Sequence, residues 1–315
     1  MAMAADRDPL RRAHIAELYP SVEVVDDAQE IIENDEIDAV VIATPPSTHY
    51  NFARESLLRG KHILVEKPFV MDVDQAMELA QLADQNGLVL AVGHTFEYSA
   101  AVNKIRQLVM GDELGSIQYV RSLRVNLGLF QKDINVLWDL APHDVSILRF
   151  ALGKLPTAVI AIGKAHVNPG VEDVVNLTLE YDEMMANIIV SWLDPRKVRQ
   201  MTFVGDRRML FYDDLSSNEK LRIYDKGVDY PKHYDSFGEF QYSYRYGDIV
   251  IPMLDEHEPM AAQSLHFVEC IQNGKRSRTG IESGSDVTKV LAAAQSSMSN
   301  GGVRVALDDP SPSDR

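Results

Sequence analysis

Cysteine is almost absent from this chain, since Cys270 is the only one among its 315 residues. A single thiol can form neither a disulfide within one chain nor a cysteine-based metal site. A fold held together by disulfides or by a cysteine-bound metal is therefore excluded. Its neighbours in the run HFVECI are apolar at helical spacing, which predicts a buried helix face. This cysteine usage is typical of a protein of the reducing cytoplasm.

The sequence also lacks any apolar run near the roughly 20 residues that cross a bilayer, and its beginning shows no apolar stretch ahead of a small-residue cleavage site. Positive charge is scarce, because 31 basic side chains stand against 47 acidic ones, a formal charge of −16. Such a field repels nucleic-acid phosphates and anionic membrane surfaces. We therefore expect a small-molecule partner, and neither a nucleic acid nor a membrane.

What the chain does contain is a regular alternation of short β-branched runs and amphipathic segments over residues 1–98. The expected strands are Val22–Val25, Ala39–Ala43, His62–Val65 and Leu88–Val92. The expected helices are 9–18, 27–34, 48–59 and 72–86, the last capped by Asp72 and closed by Asn86-Gly87. This order predicts an α/β domain with an open, doubly wound parallel sheet that is buried on both faces. Ligands of such sheets bind at the carboxyl ends of the strands.

The rhythm changes over residues 99–315, which we expect to form a second, α+β domain. A helix near 99–110 precedes longer runs that alternate at period two, which predicts a large antiparallel sheet. The expected strands are Ile117–Val125, Ala158–His166, Val174–Tyr181, Met185–Trp192 and Val198–Val204. Further helices are expected at about 140–152, 259–273 and 283–299, and the tail DDPSPSDR is expected to be unstructured.

Two polar segments follow neighbouring strands of the first domain. In ATPPSTHYN, residues 43–51, two prolines stiffen the turn and Ser47 or Thr48 can cap the next helix, which leaves backbone N–H groups free for an anion. A plain strand-to-helix turn explains the same residues. In EKP, residues 66–68, Lys67 beside a carboxylate can exchange a proton with a substrate hydroxyl. A surface ion pair is the alternative interpretation, and it contributes little to stability.

A third segment, WDLAPHDVSIL at 138–148, places Asp139 and His143 four residues apart, on one face of a helix. A carboxylate beside an imidazole is an acid/base and orienting pair. The alternative is that Asp139 caps the helix and His143 packs in the core, with Pro142 early in the helix. A metal site lacks a third ligand at known spacing, so we predict none. Asp144 adds a second carboxylate of undetermined direction.

Doubly wound dinucleotide domains hold the pyrophosphate on a G-x-G-x-x-G turn, and this sequence contains none. The remaining motifs nevertheless resemble the Gfo/Idh/MocA family of NAD(P)-dependent oxidoreductases. The resemblance rests on ATPPSTH, EKP, GHTFEYSAAV at 93–102, the Asp139/His143 pair and HFVECIQNGK at 266–275, in this order along the chain. It implies a Rossmann-type nucleotide-binding domain and a second domain whose sheet forms a homodimer or homotetramer interface.

The resemblance also assigns roles to individual residues. It implies that Lys67 is the catalytic or substrate-orienting lysine and that Asp139 and His143 form the acid/base pair on the substrate side. It implies that the cofactor, NAD or NADP, is contacted by side chains near the strand ends. These are Asp6, Thr44, Pro45, Pro46, His49, Glu66 and Lys67. The wording VLWDLAPHD resembles members that act on nucleotide-linked sugars, so a sugar or nucleotide-linked sugar is the expected substrate.

Two departures from the family pattern stand out. Glu97 occupies a position in HTFEYS where members usually carry a basic or amide side chain. The start MAMAADRDP aligns with the end of the family's second strand, with Asp6 as the residue that binds the adenosine ribose. We therefore expect a nucleotide domain that lacks its first strand, its glycine turn and its first helix. The enzyme interpretation stands beside two alternatives, a catalytically impaired paralogue that binds a sugar or a partner, and a scaffold.

Overall fold

The computed structural model describes residues 1–229, 243–255 and 257–307. They form two compact units, one from Met1–Gly93 with Ser264–Thr288 and one from the described parts of 94–263 and 289–307. The domain limits inferred from the sequence, 1–98 and 99–315, remain a prediction. The predicted tail DDPSPSDR lies outside the described residues. Within the described ranges, no helix has the length and apolar character that a bilayer crossing requires.

In the first unit, short strands alternate with helices, as the sequence predicts. The elements are β1 (Met3–Ala5), α1 (Pro9–Leu18), β2 (Glu23–Val25), α2 (Ala28–Glu33), β3 (Ala39–Ile42), α3 (Pro46–Leu58), β4 (His62–Val65), α4 (Val73–Gln85) and β5 (Leu90–Val92). The predicted limits of α4 are confirmed, because the Asp72 carboxylate accepts the Gln75 N–H and Gly87 takes a positive φ of 65° beyond the C-terminus.

The strands of this unit pair in parallel and make two sheets in the described residues, β1–β2 and β3–β4–β5. Ile42 is in register with Val65, and Val65 with Val92. The residues that follow these three strands, Ala43, Glu66 and Gly93, therefore leave one edge of the sheet side by side. This edge carries two of the polar segments found in the sequence.

The prediction that every strand of the first domain is buried on both faces is wrong for β2 and β3. β4 and β5 are buried almost throughout, but Val41 in β3 is 63% exposed. β5 is an outer strand as well, so the difference lies in what covers each strand. Phe267 and Cys270 pack against Leu64 in β4 and Ala91 in β5, and Val41 is not part of this cluster. The apolar core instead lies between this sheet and helices α3 and α4. Its buried members include Leu57, Ile63, Val65, Leu79 and Val92.

The second unit is built on a nine-stranded sheet. Its elements are a 3₁₀ helix (Thr95–Tyr98), α5 (Ala100–Met110), β6 (Ile117–Val125), α6 (Val136–Leu152), β7 (Ala158–Lys164), β8 (Val174–Glu180), β9 (Met185–Ser191), β10 (Val198–Gly205), β11 (Met209–Asp213), β12 (Leu221–Asp229), β13 (Ser243–Val250) and β14 (Val305–Ala306). The helices α7 (Pro259–Asn273) and α8 (Ile281–Ser299) each contribute residues to both units.

The strand order of this sheet is β13-β12-β11-β10-β6-β9-β8-β7-β14. The predicted antiparallel pairing holds for every neighbouring pair in the described residues except β6 and β9, which run parallel. The exception lies where two antiparallel halves of the sheet meet, β13-β12-β11-β10-β6 on one side and β9-β8-β7-β14 on the other. The sequence did not predict β11, β12 or β13. Helix α6 packs against β6, β8 and β9 on one face of the sheet.

Candidate active site

The first polar segment follows β3 and opens α3. The helix begins at Pro46, with Pro45 in the capping position and no side-chain cap. The prediction that Ser47 or Thr48 caps this helix is therefore wrong. Thr48 is already inside the helix, where its Oγ1 donates to the Pro45 carbonyl at 2.8 Å and lies 2.7 Å from Thr44 Oγ1. The turn is fixed from within by two hydroxyl groups.

His49 is buried beneath this turn and joins it to the next one. Its Nε2 lies 2.8 Å from the Thr44 carbonyl oxygen and its Nδ1 lies 2.8 Å from the Pro68 carbonyl oxygen. Both ring nitrogens therefore face backbone acceptors. A neutral imidazole can donate to one of these two carbonyls, and an imidazolium can donate to both. The side chain holds the turn after β3 against the turn after β4. The expected contact of His49 with a cofactor stays a prediction.

The second polar segment, Glu66-Lys67-Pro68, follows β4, and the peptide bond between Lys67 and Pro68 is cis. Glu66 Oε2 accepts the backbone N–H of Lys67 at 3.2 Å. Gly93, the residue after β5, gives this carboxylate its space, because a Cβ on Gly93 would stand 2.7 Å from Glu66 Oε2. Lys67 itself is half-buried. The carboxylate is thus fixed beside the lysine by the fold of the strand ends.

Asp6 lies at the end of β1 and is partly exposed. Its Oδ1 accepts the N–H of Asp8 at 2.8 Å, and its Oδ2 lies 3.5 Å from Arg11 Nη1. Asp8 caps α1 through the N–H of Leu10. The short turn between β1 and α1 therefore holds a carboxylate at the strand end, where the sequence places it.

The third polar segment lies in the second unit, within α6. The helix is capped by Asn135, whose Oδ1 accepts the Trp138 N–H, so the alternative that Asp139 is the N-cap is wrong. Pro142 is likewise in the helix interior and not at its start. Asp139 lies in the first turn and His143 one turn later, on the same face. The structure thus brings these two side chains together on one element.

The Asp139 carboxylate is contacted by an indole. Trp192, the residue after β9, donates from Nε1 to Asp139 Oδ2 at 2.9 Å. Trp192 is 1% exposed, and its ring meets the Phe130 ring edge-on at a centroid distance of 5.5 Å. A buried indole N–H needs an acceptor, and here the acceptor is one of the predicted site residues.

Asp144, whose direction the sequence left open, points into the unit. Its Oδ2 accepts Arg124 Nε at 2.6 Å, and its Oδ1 accepts the Ser122 hydroxyl at 2.8 Å. Arg124 and Asp144 are 4% and 1% exposed. Burial is the largest single influence and lowers the pKa of Arg124, but Asp144, together with Tyr212 and Asp214, leaves that pKa raised, so the arginine stays charged. The pair ties α6 to β6.

One aromatic ring connects this ion pair with His143. The Phe96 ring, in the 3₁₀ helix, meets the His143 ring at a centroid distance of 5.1 Å and an angle of 71°. The guanidinium carbon of Arg124 lies 4.8 Å from the centroid of the same Phe96 ring. A chain of contacts, which we call the circuit, therefore runs from His143 through Phe96 and Arg124 to Asp144. It begins and ends on adjacent residues of α6.

The segment that contains Phe96 also carries two buried titratable groups. His94 Nδ1 lies 3.8 Å from Glu97 Oε1, and both side chains are essentially inaccessible to solvent. Burial of the imidazole is the main cause that lowers the pKa of His94 to about 3, and the positive charge of Arg149 lowers it further. His94 is therefore neutral at ordinary pH. Glu97, the departure from the family pattern, is a buried carboxylate.

Several residues of this arrangement were not predicted from the sequence. They are Gly93, Phe96, Arg124 and Trp192. Arg124 carried a signal, because it shares one face of β6 with Val120 and Ser122 at period two, and a charged side chain on a buried face needs a partner. Trp192 carried a weaker one, as a tryptophan directly after a strand. Among the described residues, no group of three potential metal ligands comes together.

Comparison with known proteins places these features in a family. Residues 1–94 match the model of the oxidoreductase family with an NAD-binding Rossmann fold, GFO_IDH_MocA, and residues 102–211 match the GFO/IDH/MocA C-terminal domain. The chain is similar to UDP-N-acetylglucosamine 3-dehydrogenase of Acidithiobacillus ferrooxidans, at 32% identity over 196 residues, which cover 61% of this chain and 60% of that protein. It thus matches about three fifths of that relative's length.

One further relative and one solved structure cover more of the chain. The scyllo-inositol 2-dehydrogenase (NAD(+)) of Bacillus subtilis is 26% identical over 299 residues, which are 90% of this chain and 81% of that protein. A structure of levoglucosan dehydrogenase, in complex with NADH and levoglucosan, superposes with a TM-score of 0.80 at 17% identity over 98% of this chain and 90% of that chain, which shows a shared fold. The chain therefore belongs to the Gfo/Idh/MocA oxidoreductases, with an NAD-binding Rossmann domain followed by the family's C-terminal domain.

Proposed function

We propose that this chain is a dehydrogenase or reductase that moves a hydride between a nicotinamide cofactor and a hydroxyl-bearing carbon of a sugar or nucleotide-linked sugar. The observation that carries the proposal is the pair Asp139 and His143, one turn apart on α6, with the carboxylate fixed by an indole N–H at 2.9 Å. Oxidation of a secondary alcohol needs a proton acceptor at the hydroxyl, and a fixed carboxylate and imidazole supply one. The dehydrogenases among the relatives support the substrate class.

The roles follow from the chemistry of each group. A bound nicotinamide would supply the acceptor or donor of the hydride. The ammonium of Lys67 would donate a hydrogen bond to the reacting oxygen, and His143 would take or return the hydroxyl proton. Asp139 would orient the sugar and the imidazole. Sugar hydroxyls are recognised by such charged donors and acceptors, whose hydrogen bonds are the stronger kind.

The strand ends of the first unit fit the ribose portions of a dinucleotide. Asp6 presents a partly exposed carboxylate, which suits the hydroxyls of an adenosine ribose. Thr44 and Glu66 follow strands that end in register and offer a hydroxyl and a carboxylate at one edge of the sheet. These residues and Lys67 would hold the cofactor. We propose NAD over NADP, because the Asp6 carboxylate can accept hydrogen bonds from the ribose hydroxyls of NAD and would repel the phosphate of NADP.

The proposed roles are tested by substitution with matched controls. Lys67→Ala and His143→Ala should lower kcat strongly with NAD and either UDP-N-acetylglucosamine or scyllo-inositol, while Lys104→Ala, at a helix residue outside the proposed site, should not. General acid/base contributions are on the order of 10²- to 10⁴-fold. Full activity in either site variant would remove that residue's role. Equal losses in the Lys104 control would mean that the effect is not specific.

A module that binds sugar without turnover is the second candidate function. It is favoured by the two separate parallel sheets of the first unit. Isothermal titration of residues 1–315 with NAD, NADH, NADP and NADPH distinguishes the two proposals. Micromolar binding supports the enzyme. Sugar binding in the absence of any nucleotide binding supports the module.

The open face of the nine-stranded sheet supports self-association. Exposed apolar side chains line this face on β6, β7 and β9, opposite the face that packs on α6. They are Tyr119, Ile162, Met185 and Ile189. Apolar strand faces of this kind are usually covered by a partner. We propose a homodimer or homotetramer through this face, and Ile162→Lys with Ile189→Lys should convert it to monomer in sedimentation measurements. Unchanged sedimentation would exclude this interface.

A further inference from the structure

Each member of the pair on α6 is contacted by an aromatic side chain from another element. We propose that Trp192 is the positioning residue for Asp139, and that Phe96, supported by Arg124, is the positioning residue for His143. The inference rests on the proposed function, because it concerns the two residues to which that function assigns the acid/base chemistry. It adds three residues to which the sequence assigned no role, and their effect is on geometry and not on the reacting atoms.

The indole of Trp192 has little freedom to move. Its backbone N–H donates to the Asp173 carbonyl at 2.9 Å, and its own carbonyl accepts the Gly128 N–H at 3.0 Å. The ring packs edge-on against Phe130, and a Cβ on Gly128 would stand 3.0 Å from Trp192 Cδ1. Backbone and ring are thus fixed on several sides, so the direction of the indole N–H is fixed as well.

An indole has one polar atom, and it is a donor only. In Trp192 that donor is buried and ends on Asp139 Oδ2, a charged acceptor at 2.9 Å. Losing the acceptor would leave a buried N–H without a partner, which is costly. The contact therefore favours one rotamer of Asp139 in α6. A carboxylate held in this way presents its second oxygen, Oδ1, in a defined direction.

The His143 ring is held in part by packing against an aromatic side chain. Its ring meets the Phe96 ring at 5.1 Å in an edge-to-face arrangement, a geometry that aromatic pairs prefer. The Phe96 ring is itself held by the Arg124 guanidinium at 4.8 Å. Arg124 cannot follow a shift of Phe96, because its Nε and Nη2 are bonded to the buried Asp144 carboxylate at 2.6 and 3.3 Å. The circuit returns to α6 one residue from His143.

The first test is spectroscopic and independent of activity. The chain has only two tryptophans, Trp138 and Trp192, so its proton–nitrogen NMR spectrum contains two indole signals, which Trp138→Phe and Trp192→Phe assign. Asp139→Ala should shift the Trp192 signal and leave the Trp138 signal in place, because the Trp138 indole donates to Gln295. Asp139→Asn, which keeps an acceptor, should give a smaller shift. An unmoved Trp192 signal in both variants overturns the proposal for Asp139.

The second test measures catalysis with NAD and UDP-N-acetylglucosamine or scyllo-inositol. Trp192→Phe keeps the ring and removes the N–H, and it should lower kcat on the order of 10- to 100-fold with a small change in KM, since misplacement by about 1 Å has this effect. Trp138→Phe is the matched control, because it removes an indole N–H that does not reach Asp139. Asp139→Asn together with Trp192→Phe should be no worse than Asp139→Asn alone.

For His143, Phe96→Leu should lower kcat and change the pH profile of kcat, whereas Phe96→Tyr should retain both because it keeps the ring. Arg124→Met should act in the same direction as Phe96→Leu. An unchanged rate and pH profile in Phe96→Leu overturns the proposal for His143.

Failure of the proposed function gives a different result. If Asp139→Asn and His143→Ala keep the full rate, or if the unsubstituted chain turns over neither substrate, then the acid/base roles are wrong. The indole signal still decides in that case whether Trp192 fixes Asp139. If the two site variants lose activity while Trp192→Phe and Phe96→Leu keep it, then the function stands and the positioning proposal is wrong.

Discussion

Removing one charge of the buried Arg124–Asp144 pair is the perturbation whose effect the structure defines best. Asp144→Asn keeps the size of the side chain and removes its charge. Arg124 would then remain charged and 4% exposed, with Nε and Nη2 facing a neutral amide. The hydroxyl of Ser122, which donates to Asp144 Oδ1 at 2.8 Å, would lose a charged acceptor as well. The fold therefore retains a buried cation that has lost its hydrogen-bonded counterion, although Asp214 still raises its pKa.

The magnitude follows from burial. Breaking a buried ion pair by removing one partner costs about 3–5 kcal/mol of the free energy of unfolding, whereas an exposed pair contributes about 0.2–1 kcal/mol. The second unit offers an exposed control in Arg304 and Glu180, whose Nε and Oε2 are 2.6 Å apart at the surface. Glu180→Gln should therefore cost several-fold less than Asp144→Asn, although the two ion pairs have equal lengths.

The assay is urea unfolding followed by tryptophan fluorescence. Both tryptophans, Trp138 and Trp192, lie in the second unit, so the signal reports the unfolding of that unit. The double variant Arg124→Met with Asp144→Leu should be more stable than Asp144→Asn, because it removes the buried charge altogether. The reasoning is refuted if Asp144→Asn costs less than about 1 kcal/mol, or if the double variant is less stable than the single one.

Three further predictions concern groups around the strand ends and the 3₁₀ helix. The pKa of His94 is about 3 in the folded protein and 6.5 in the unfolded chain, so as the pH falls the unfolded chain binds the proton first. The contribution of neutral His94 to the free energy of unfolding should therefore be fully present above pH 6.5. It should fall by about 1.4 kcal/mol per pH unit between pH 6.5 and pH 3. His94→Gln should reduce this slope in urea unfolding at each pH, and an unchanged slope would show that the group does not cause it. Gly93→Ala should destabilise the first unit by about 1–3 kcal/mol, because the new Cβ would stand 2.7 Å from the Glu66 carboxylate. Unfolding followed by circular dichroism measures this loss, and an unchanged stability would mean that Glu66 is free to turn away. His49→Leu should remove the donor that one of the two carbonyls, Thr44 or Pro68, has in the folded protein, at about 1–3 kcal/mol. The loss should appear as faster amide hydrogen exchange after β3 and β4, and exchange at the original rate would show that His49 does not hold the two turns together.

Local sequence signals determined most elements of this protein. The β-branched runs set β3, β4 and β5, and the period-two pattern set β6 with the predicted limits. Asp72 and Gly87 set the two ends of α4 through capping chemistry that depends on neighbouring residues alone. The sequence motifs likewise indicated the Gfo/Idh/MocA family, which the family comparison confirms.

Other features were decided by tertiary structure, because they depend on residues far apart in the chain. The parallel pairing of β6 with β9 joins two antiparallel halves, and no periodicity encodes which strands become neighbours. Val41 has the same β-branched character as its neighbours in AVVIA, yet it is exposed, because Phe267 and Cys270, which come from far along the chain, pack against Leu64 and Ala91 and not against Val41.

The surroundings of the pair on α6 show the same division. The spacing of Asp139 and His143 placed both on one helix face, since the helical repeat fixes that relation within a single element. Trp192 lies 53 residues after its partner Asp139, and Phe96, the partner of His143, lies in the 3₁₀ helix before α5. Only the packed fold could show that these residues meet. Local propensity decided where each side chain stands, and long-range packing decided what holds it there.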